Sequence, residues 1–457
     1  MKRYQAFQLV CIFLVFSLPV AAFAIENSAS GAPSIQTPQE QQNSSEVMLL
    51  ASVSPDEDLT VKATATLVQQ AQEGVPGTSP PADGGYNLHA YNSNEVALKA
   101  VERNIGLYSN TIRDRFSLWL SRSGKYLDMM KEILRQKDVP ENIVFLSLIE
   151  SGFSPYAYSV AQAAGPWQFI ASTARRYGLE IDWWKDERRD PVKSTGAAAS
   201  YLKDLYKMFG SWNLAMAAYN AGEGRIQKAM KRSSADNYWA LLGTSHIKTE
   251  TKEYVPRFIA ASIIANNPQD FGFDEIEYHE PLSFDEVELN SPIDLSVAAE
   301  CAGTTVEEVK RLNPELRRWC TPPDVSTYSL KIPAGTKERF TRMLDSTPEN
   351  ERFTIERYTV KKGETFSRIA KKTGIPVPVI LSLNSMEKIM PLKTGSVVYL
   401  PPKGLFTLDR QDRSLVKKAS VRKPLIKKAS HRKAPIKKNA KKVSVKKRGK
   451  TGPGKKA

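Results

Sequence analysis

The chain has 457 residues, 65 Lys+Arg against 49 Asp+Glu, and three Cys. At roughly 150 residues per domain that length excludes a single small module, and 41% apolar with 25% charged residues describes a globular protein with room for a core. The net charge of +16 belongs to a tail, because residues 413–457 hold 19 Lys+Arg and no acid, which leaves −3 over the first 412 residues.

At the N-terminus, Lys2 and Arg3 precede an apolar run from Ala6 to Ala24 that closes on Ala22-Phe23-Ala24. A positive start, an apolar middle and a small-x-small end predict a secretory signal over residues 1–24, cleaved after Ala24. The other reading is a membrane anchor. Against it, the unbroken apolar stretch stops at Ser17-Leu18-Pro19, short of the ~20 residues that span a bilayer. Cys11 lies too early and too deep in the run to be a lipidated N-terminus. The mature chain is therefore expected to be exported, to the periplasm or cell envelope. There, Cys301 and Cys320 are expected as a disulfide contributing on the order of 3 kcal/mol, with two buried thiols as the alternative. The four His and three Cys show no ligand spacing, so no metal and no cofactor is expected.

Residues 25–94 read as a disordered linker. Nine acids stand against one Lys over 25–97, and such a segment buries too little apolar surface to offset its ordering entropy. A short helix is allowed near Leu59–Gln72. From 95 to 272 the pattern is helical. Ala198, Leu202, Leu205 and Phe209 share one helix face with Gly210 as the stop. After Asp138-Val139, Pro140 is expected to open a helix at its first turn, with Ile143, Leu146 and Ile149 on the buried side. Glu150 falls at its far end, before Gly152 and Pro155. Residues 285–337 and 356–403 then repeat one scheme, strand, two short helices, strand. In the first, Val287-Glu288-Leu289 and Ile332-Pro333 mark the strands, with helices at Leu295–Ala302 and Val306–Asn313. In the second the elements are Tyr358–Val360, Ser367–Thr373, Val377–Asn384 and Ser396–Leu400. Residues 404–457 form a basic low-complexity tail, with Lys-Lys-Ala-Ser at 417–420 and again at 427–430.

Four patches carry the chemistry: Glu150-Ser151-Gly152-Phe153-Ser154-Pro155, Ala164-Gly165-Pro166-Trp167-Gln168-Phe169, Ala217-Ala218-Tyr219-Asn220-Ala221-Gly222 and Glu250-Thr251-Lys252-Glu253-Tyr254-Val255-Pro256. Glu150 sits among apolar neighbours where a helix ends. Desolvation raises such a carboxyl from ~4.3 toward ~6, the range of an acid that works near neutrality, and the helix C-terminus pushes the same way. A lone Glu would be read as exposed or ion-paired; the three companion patches reverse that. A second carboxylate, which most glycosidases need, is absent from 165–169 and 218–222. Asp186, Glu187, Asp190 and Glu223 are nearby in sequence. Trp167 and Phe169 are either stacking surfaces or core. Gly222 and Gly224 read as helix ends.

In this order the patches resemble those of the lytic transglycosylase family with a lysozyme-like fold, over roughly 95–270. The string Asp186-Glu187-Arg188-Arg189-Asp190-Pro191 with Ser194-Thr195 fits as well, while Pro166 departs from the family's usual Leu or Met. The resemblance implies non-hydrolytic cleavage of peptidoglycan glycan strands, with Glu150 as acid and then base and a 1,6-anhydromuramoyl end as product. By the same resemblance Gln168 bonds sugar or peptide groups, and Tyr219 and Asn220 line the subsite at the scissile bond. Tyr254 reaches toward Glu150, and Ser151 holds the N-acetyl region. Residues 356–403 resemble a LysM domain through Gly363-Glu364-Thr365-Phe366, Leu383-Asn384 and Val398-Tyr399-Leu400-Pro401. That implies glycan-binding loops at Gly363, Thr365 and Asn384, which also suit turn and cap roles. Residues 285–337 look like a degenerate copy with Asn290-Ser291-Pro292 in the loop, read as a spacer.

The expected fold is mainly α (α+β): a lysozyme-like helical catalytic domain followed by small βααβ LysM-like units. Two other function classes fit the same motifs, a hydrolytic muramidase and an inactive peptidoglycan-binding protein. In an exported chain the tail is expected to meet an anionic envelope polymer or a membrane surface, not nucleic acid, unless it serves solubility alone. The sequence assigns no oligomeric state.

Overall fold

The computed structural model describes residues 94–406 and Asp412. The expected signal sequence, nearly all of the linker with its short helix, and nearly all of the basic tail lie outside the described residues. Among those described, the chain is mostly helical as far as Phe271 and then alternates short strands and helices.

Helix α1 (Glu95–Gly106) starts where the Asn94 side chain accepts the Ala97 N–H, and passes through a π-helical turn (Leu107–Thr111) into α2 (Arg113–Ser123). After α3 (Leu127–Gln136), the structure departs from the expected helix start. Asp138 turns the chain at φ 54, so Pro140 arrives extended (φ −54, ψ 131) and stands outside the helix. A 3-10 turn (Glu141–Val144) follows, and α4 runs only from Phe145 to Ser151. After the short α5 (Ala171–Arg176) comes α6 (Pro191–Phe209), which has the expected ends. Asp190 Oδ1 accepts the N–H groups of Val192 and Lys193 at 2.8 and 3.0 Å, Pro191 occupies the first turn, and Gly210 ends the helix at φ 65. Gly222 separates α7 (Trp212–Ala221) from α8 (Glu223–Ser233), and α9 (Tyr238–Leu242) leads to α10 (Thr249–Asn266).

Helix α10 is the spine of this body. It is buried at almost every position from Tyr254 to Ile264 and packs against α1, α4 and α7, so its sequence is apolar all round rather than striped. Pro256 lies in its interior and lacks the N–H that would bond the Lys252 carbonyl. The buried Tyr238 hydroxyl lies 2.7 Å from that carbonyl and 2.9 Å from Thr251 O. The acceptor that Pro256 leaves unpaired is thus satisfied from α9, and the helix stays in place.

Two small bodies follow with the same order. In the first, β1 (Phe284–Leu289) pairs antiparallel with β2 (Tyr328–Pro333), Val287 opposite Leu330, around α11 (Leu295–Ala302) and α12 (Val306–Leu312). In the second, β3 (Glu356–Thr359) pairs with β4 (Val397–Leu400), Tyr358 opposite Val398, around α15 (Phe366–Thr373) and α16 (Val377–Leu383). Between them lie α13 (Lys337–Ser346) and α14 (Glu349–Arg352), and α13 packs Phe340 onto the first body. Neither helix is part of the repeating scheme. One asparagine closes each repeat. Asn313 Nδ2 donates to Val309 O and Lys331 O while its Oδ1 accepts the Lys331 N–H. Asn384 does the same with Ile380 O, Tyr399 O and the Tyr399 N–H.

The expected disulfide is absent: Cys301 and Cys320 are free and buried. Cys320 bridges Asp294, at the start of α11, whereas Cys301 lies near its other end. Each thiol fills a different core, Cys301 with Leu295 and Phe340, Cys320 with Trp183, Trp184 and Trp319.

The helical and first βααβ bodies are joined by backbone and by buried charge. Asp186 donates its N–H to Glu315 O at 2.8 Å, Arg317 donates its N–H to Trp184 O at 2.9 Å, and Lys331 Nζ meets Asp190 Oδ2 at 2.5 Å. Trp184 and Trp319 meet edge to face across the same junction, their centroids 5.8 Å apart.

Candidate active site

Glu150 stands one residue before the end of α4, and the turn after it depends on a missing side chain. Gly152 adopts φ 58, and a Cβ there would lie 2.3 Å from the Trp119 ring. The glycine lets the chain reverse against Trp119, and Arg122 Nη1 fixes the turn by donating to Gly152 O at 2.8 Å. Glu150 is left half-buried, facing α10. Tyr254 donates its hydroxyl to Glu150 Oε1 at 2.6 Å. Burial pushes the Glu150 carboxyl up to about 7; the Tyr254 bond works against that rise, and the negative charge of Glu250 adds to it. Burial, followed by the Glu150 charge, holds the Tyr219 and Tyr254 hydroxyls well above the ordinary tyrosine range. Both stay protonated donors at neutral pH.

Helix α7 supplies the facing wall. Tyr219 donates to Trp167 O at 2.7 Å and stands edge-on to Phe169. Asn220 Oδ1 accepts the Thr251 hydroxyl at 3.0 Å, which ties α7 to the first turn of α10. Gln168 is half-buried at φ 47, and its Nε2 donates to Gly165 O at 2.9 Å and to Ala157 O at 3.3 Å. Glu150, Tyr219, Asn220 and Tyr254 therefore converge from three helices, with Gln168 on the loop that Tyr219 touches. Thr251 belongs to this group although the sequence reading gave it no role of its own. The signal was its place three residues before Tyr254, on the same face of α10.

Ser151 does not face the site. Its buried hydroxyl lies 2.8 Å from Pro166 O and 3.2 Å from Ser147 O, and it accepts the Ser154 N–H at 3.1 Å. The helical turn points residue 151 away from residue 150, so Ser151 anchors the 164–169 loop rather than an N-acetyl group. Trp167 and Phe169 are core: both are buried, and Trp167 Nε1 donates to Thr195 Oγ1 at 2.8 Å. The carboxylates near in sequence are each engaged elsewhere. Asp186 pairs with Arg188, Glu187 with Lys185 and Lys193, Asp190 with Lys331, and Glu223 with Arg176. Among the described residues no cluster of three His, Cys, Asp or Glu side chains surrounds a metal-sized space.

In the second βααβ body, the three glycan-binding candidates have places in the fold itself. Gly363 makes a left-handed turn at φ 75, the Thr365 hydroxyl caps α15 by accepting the Arg368 N–H at 3.3 Å, and the Asn384 amide is used on both sides between α16 and β4.

Residues 129–242 match the transglycosylase SLT domain family, 283–349 the LysM-like domain of lytic transglycosylase MltD, and 358–401 the LysM domain. Membrane-bound lytic murein transglycosylase D of Escherichia coli K12 is 31% identical over 351 residues, covering 71% of this chain and 74% of that protein. The chain belongs to the lytic murein transglycosylase D family. More distant relatives match over shorter stretches. Membrane-bound lytic murein transglycosylase C of Sodalis glossinidius is 26% identical over 29% of this chain and 44% of its own. The soluble lytic murein transglycosylase of E. coli K12 is 25% identical over 38% of this chain and 27% of its own. Within this transglycosylase the SLT match encloses Glu150, Gln168, Tyr219 and Asn220, while Tyr254 lies beyond it on α10. No described helix is long and apolar enough to cross a membrane.

Proposed function

We propose that Glu150 is the single acid and base with which this lytic murein transglycosylase cuts the β-1,4 bond between N-acetylmuramic acid and N-acetylglucosamine. The observation that carries the reading is the Glu150 carboxyl itself, raised to about 7 and bonded to Tyr254, while the carboxylates near it in sequence are held in ion pairs. Near neutrality a large fraction of Glu150 is protonated and can give its proton to the glycosidic oxygen as the C1–O bond breaks. The substrate's N-acetyl oxygen supports C1 during departure. The Glu150 carboxylate then takes the proton of the C6 hydroxyl, whose oxygen closes onto C1 and releases the N-acetyl group. Glu150 is protonated again, no water is consumed, and the product carries a 1,6-anhydromuramoyl end. Tyr254 steadies the carboxylate stage, while Tyr219, Asn220 and Gln168 offer neutral hydroxyl and amide groups to an uncharged sugar face.

Glu150→Gln removes the transferable proton and keeps the shape. The expected outcome is loss of anhydro fragments from digested peptidoglycan, read by mass spectrometry, with sacculus binding retained. Substantial residual cleavage would move the search to Glu187 and Glu223. Reducing ends from the unaltered enzyme would mean a muramidase, and the absence of any fragments would mean a binding protein.

The chain is divided, in this reading, into a signal sequence (1–24), a linker (25–94), a catalytic domain (95–272), a structural LysM-like unit (285–337), a glycan-binding LysM domain (356–403) and a basic tail (404–457). Tethering catalysis to one working LysM raises the local concentration of an insoluble substrate. The tail adds contact with an anionic envelope polymer or membrane surface after export.

A further inference from the structure

One buried guanidinium connects the active-site loop to the junction between the first two bodies. Arg188 is 1% exposed and lies in the strap 182–190 that precedes α6. Its Nε and Nη2 form a two-pronged pair with Asp186, at 2.8 and 2.7 Å. Its Nη1 points the other way and donates to Gln162 O at 2.7 Å and Phe169 O at 2.9 Å. Those two carbonyls are the two ends of the loop 162–169. In the middle of that loop, Gly165 (φ 81) crosses so close that a Cβ would lie 1.7 Å from the Arg188 carbonyl oxygen. One residue therefore holds the loop at both ends and at its centre.

The opposite side of the loop serves the catalytic site. Pro166 O accepts from Ser151 and Ser147, Trp167 O accepts from Tyr219, and Gln168 takes φ 47 between them. Arg188 is bonded to none of Glu150, Tyr219 or Tyr254, so any effect it has on the chemistry passes through the loop. The strap is backed in turn by the LysM-like body, through Glu315 O on the Asp186 N–H and the Arg317 N–H on Trp184 O. Burying this much charge is expensive, and an apolar filler of similar volume would hold two packed bodies together at least as well. Only a planar fork with donors on opposite edges can grip a carboxylate and two carbonyls in fixed directions.

We propose that Arg188 is a positioning residue of the transglycosylase reaction, setting loop 162–169 so that Gln168 and Tyr219 frame Glu150. The idea rests on the Glu150 reading only in that the same reaction is measured. The test compares the full chain with Arg188→Lys, Asp186→Asn, Gln168→Ala and the Arg188→Lys/Gln168→Ala pair on purified glycan strands. Arg188→Lys keeps the charge and loses the fork. Its kcat should fall about 100-fold, the cost of a shift on the order of 1 Å at a reacting centre, with KM changed less than about threefold. Asp186→Asn should show a smaller loss of the same kind, and the double variant should be no slower than the slower single variant. The proposal is overturned by a wild-type kcat in Arg188→Lys, by losses that multiply in the double variant, or by a fall in kcat that merely tracks the unfolded fraction in melting curves. If Arg188→Lys does not melt cooperatively, Asp186→Asn and the Asp186→Asn/Gln168→Ala pair are judged by the same three criteria. An inactive Glu150→Gln beside a fully active Arg188→Lys would sink this proposal alone, whereas an active Glu150→Gln would sink the reading beneath it.

Discussion

Glu150 is held between two opposing effects, burial that raises its proton affinity and the Tyr254 bond that lowers it. Removing the bond should let burial act alone. Tyr254→Phe is therefore expected to move the basic limb of kcat/KM above about 7, by up to roughly one unit, and to lower kcat. A limb that stays put or moves down would show that Tyr254 does not bond the carboxylate in solution. The same shift has a signature in stability. The carboxyl ionises near 4.5 in the unfolded chain and near 7 when folded, so folding binds the proton. Stability is lost as pH rises through that window and the loss is complete above 7. Glu150→Gln should thus unfold at higher denaturant than the unaltered enzyme at pH 8, by on the order of 3 kcal/mol, with the difference gone below pH 4.5. Equal stability at both pH values would contradict the burial argument. Glu150 was legible from its place among apolar residues at a helix end, and the reach of Tyr254 toward it only from the resemblance that the four patches carry. The place of Ser151 was not, because its partner Pro166 is fifteen residues away and no local pattern encodes that bond. Arg188 was visible only as one letter in a charged string, since its two bonds to Gln162 O and Phe169 O depend on the folded loop.

At the scale of elements, the periods placed the helices of both βααβ repeats and the strands of the second to within a residue or two, whereas β1 begins three residues before Val287 and β2 four before Ile332. What the periods concealed was the common device that closes each repeat. Asn313 and Asn384 use side-chain amides to bind a carbonyl one turn back and both backbone groups of a strand residue. Asn384→Ala leaves the Tyr399 N–H and C=O without these partners and should destabilise that body by about 2–3 kcal/mol. Hydrogen exchange of residues 356–403 in the full chain measures this, and cleavage of soluble glycan strands should be retained. Unchanged protection would mean that the amide is not structural. Pro140 shows the reverse case, where the sequence signal for a helix start was real but the left-handed Asp138 shifted the start to Phe145. The Cys pair departs for a related reason: composition and compartment point to a bridge, and only the packing puts the two thiols in different cores.

Across the whole molecule, Asp412 lies inside the basic segment 404–457 and is held by the folded junction. It is buried, 2.8 Å from Arg317 and 2.6 Å from Arg318 at the junction beside Trp183. A truncation meant to test the tail must therefore keep Asp412. A chain ending there should bind sacculi less tightly than the full chain at low salt and equally at high salt, because the lost contacts are charge contacts; identical salt dependence would leave the tail no envelope role. The charge arithmetic made the tail legible, whereas the burial of Asp412 and the junction it locks depend on three-dimensional packing that no segment carries by itself. The most direct measurement on the molecule as an enzyme is digestion of peptidoglycan in oxygen-18 water with mass analysis of the new ends. Closure by the sugar's own C6 oxygen requires anhydro ends free of the label. Oxygen-18 at C1 of the released muramoyl residue would mean that water, and not the ring's own hydroxyl, completes the reaction.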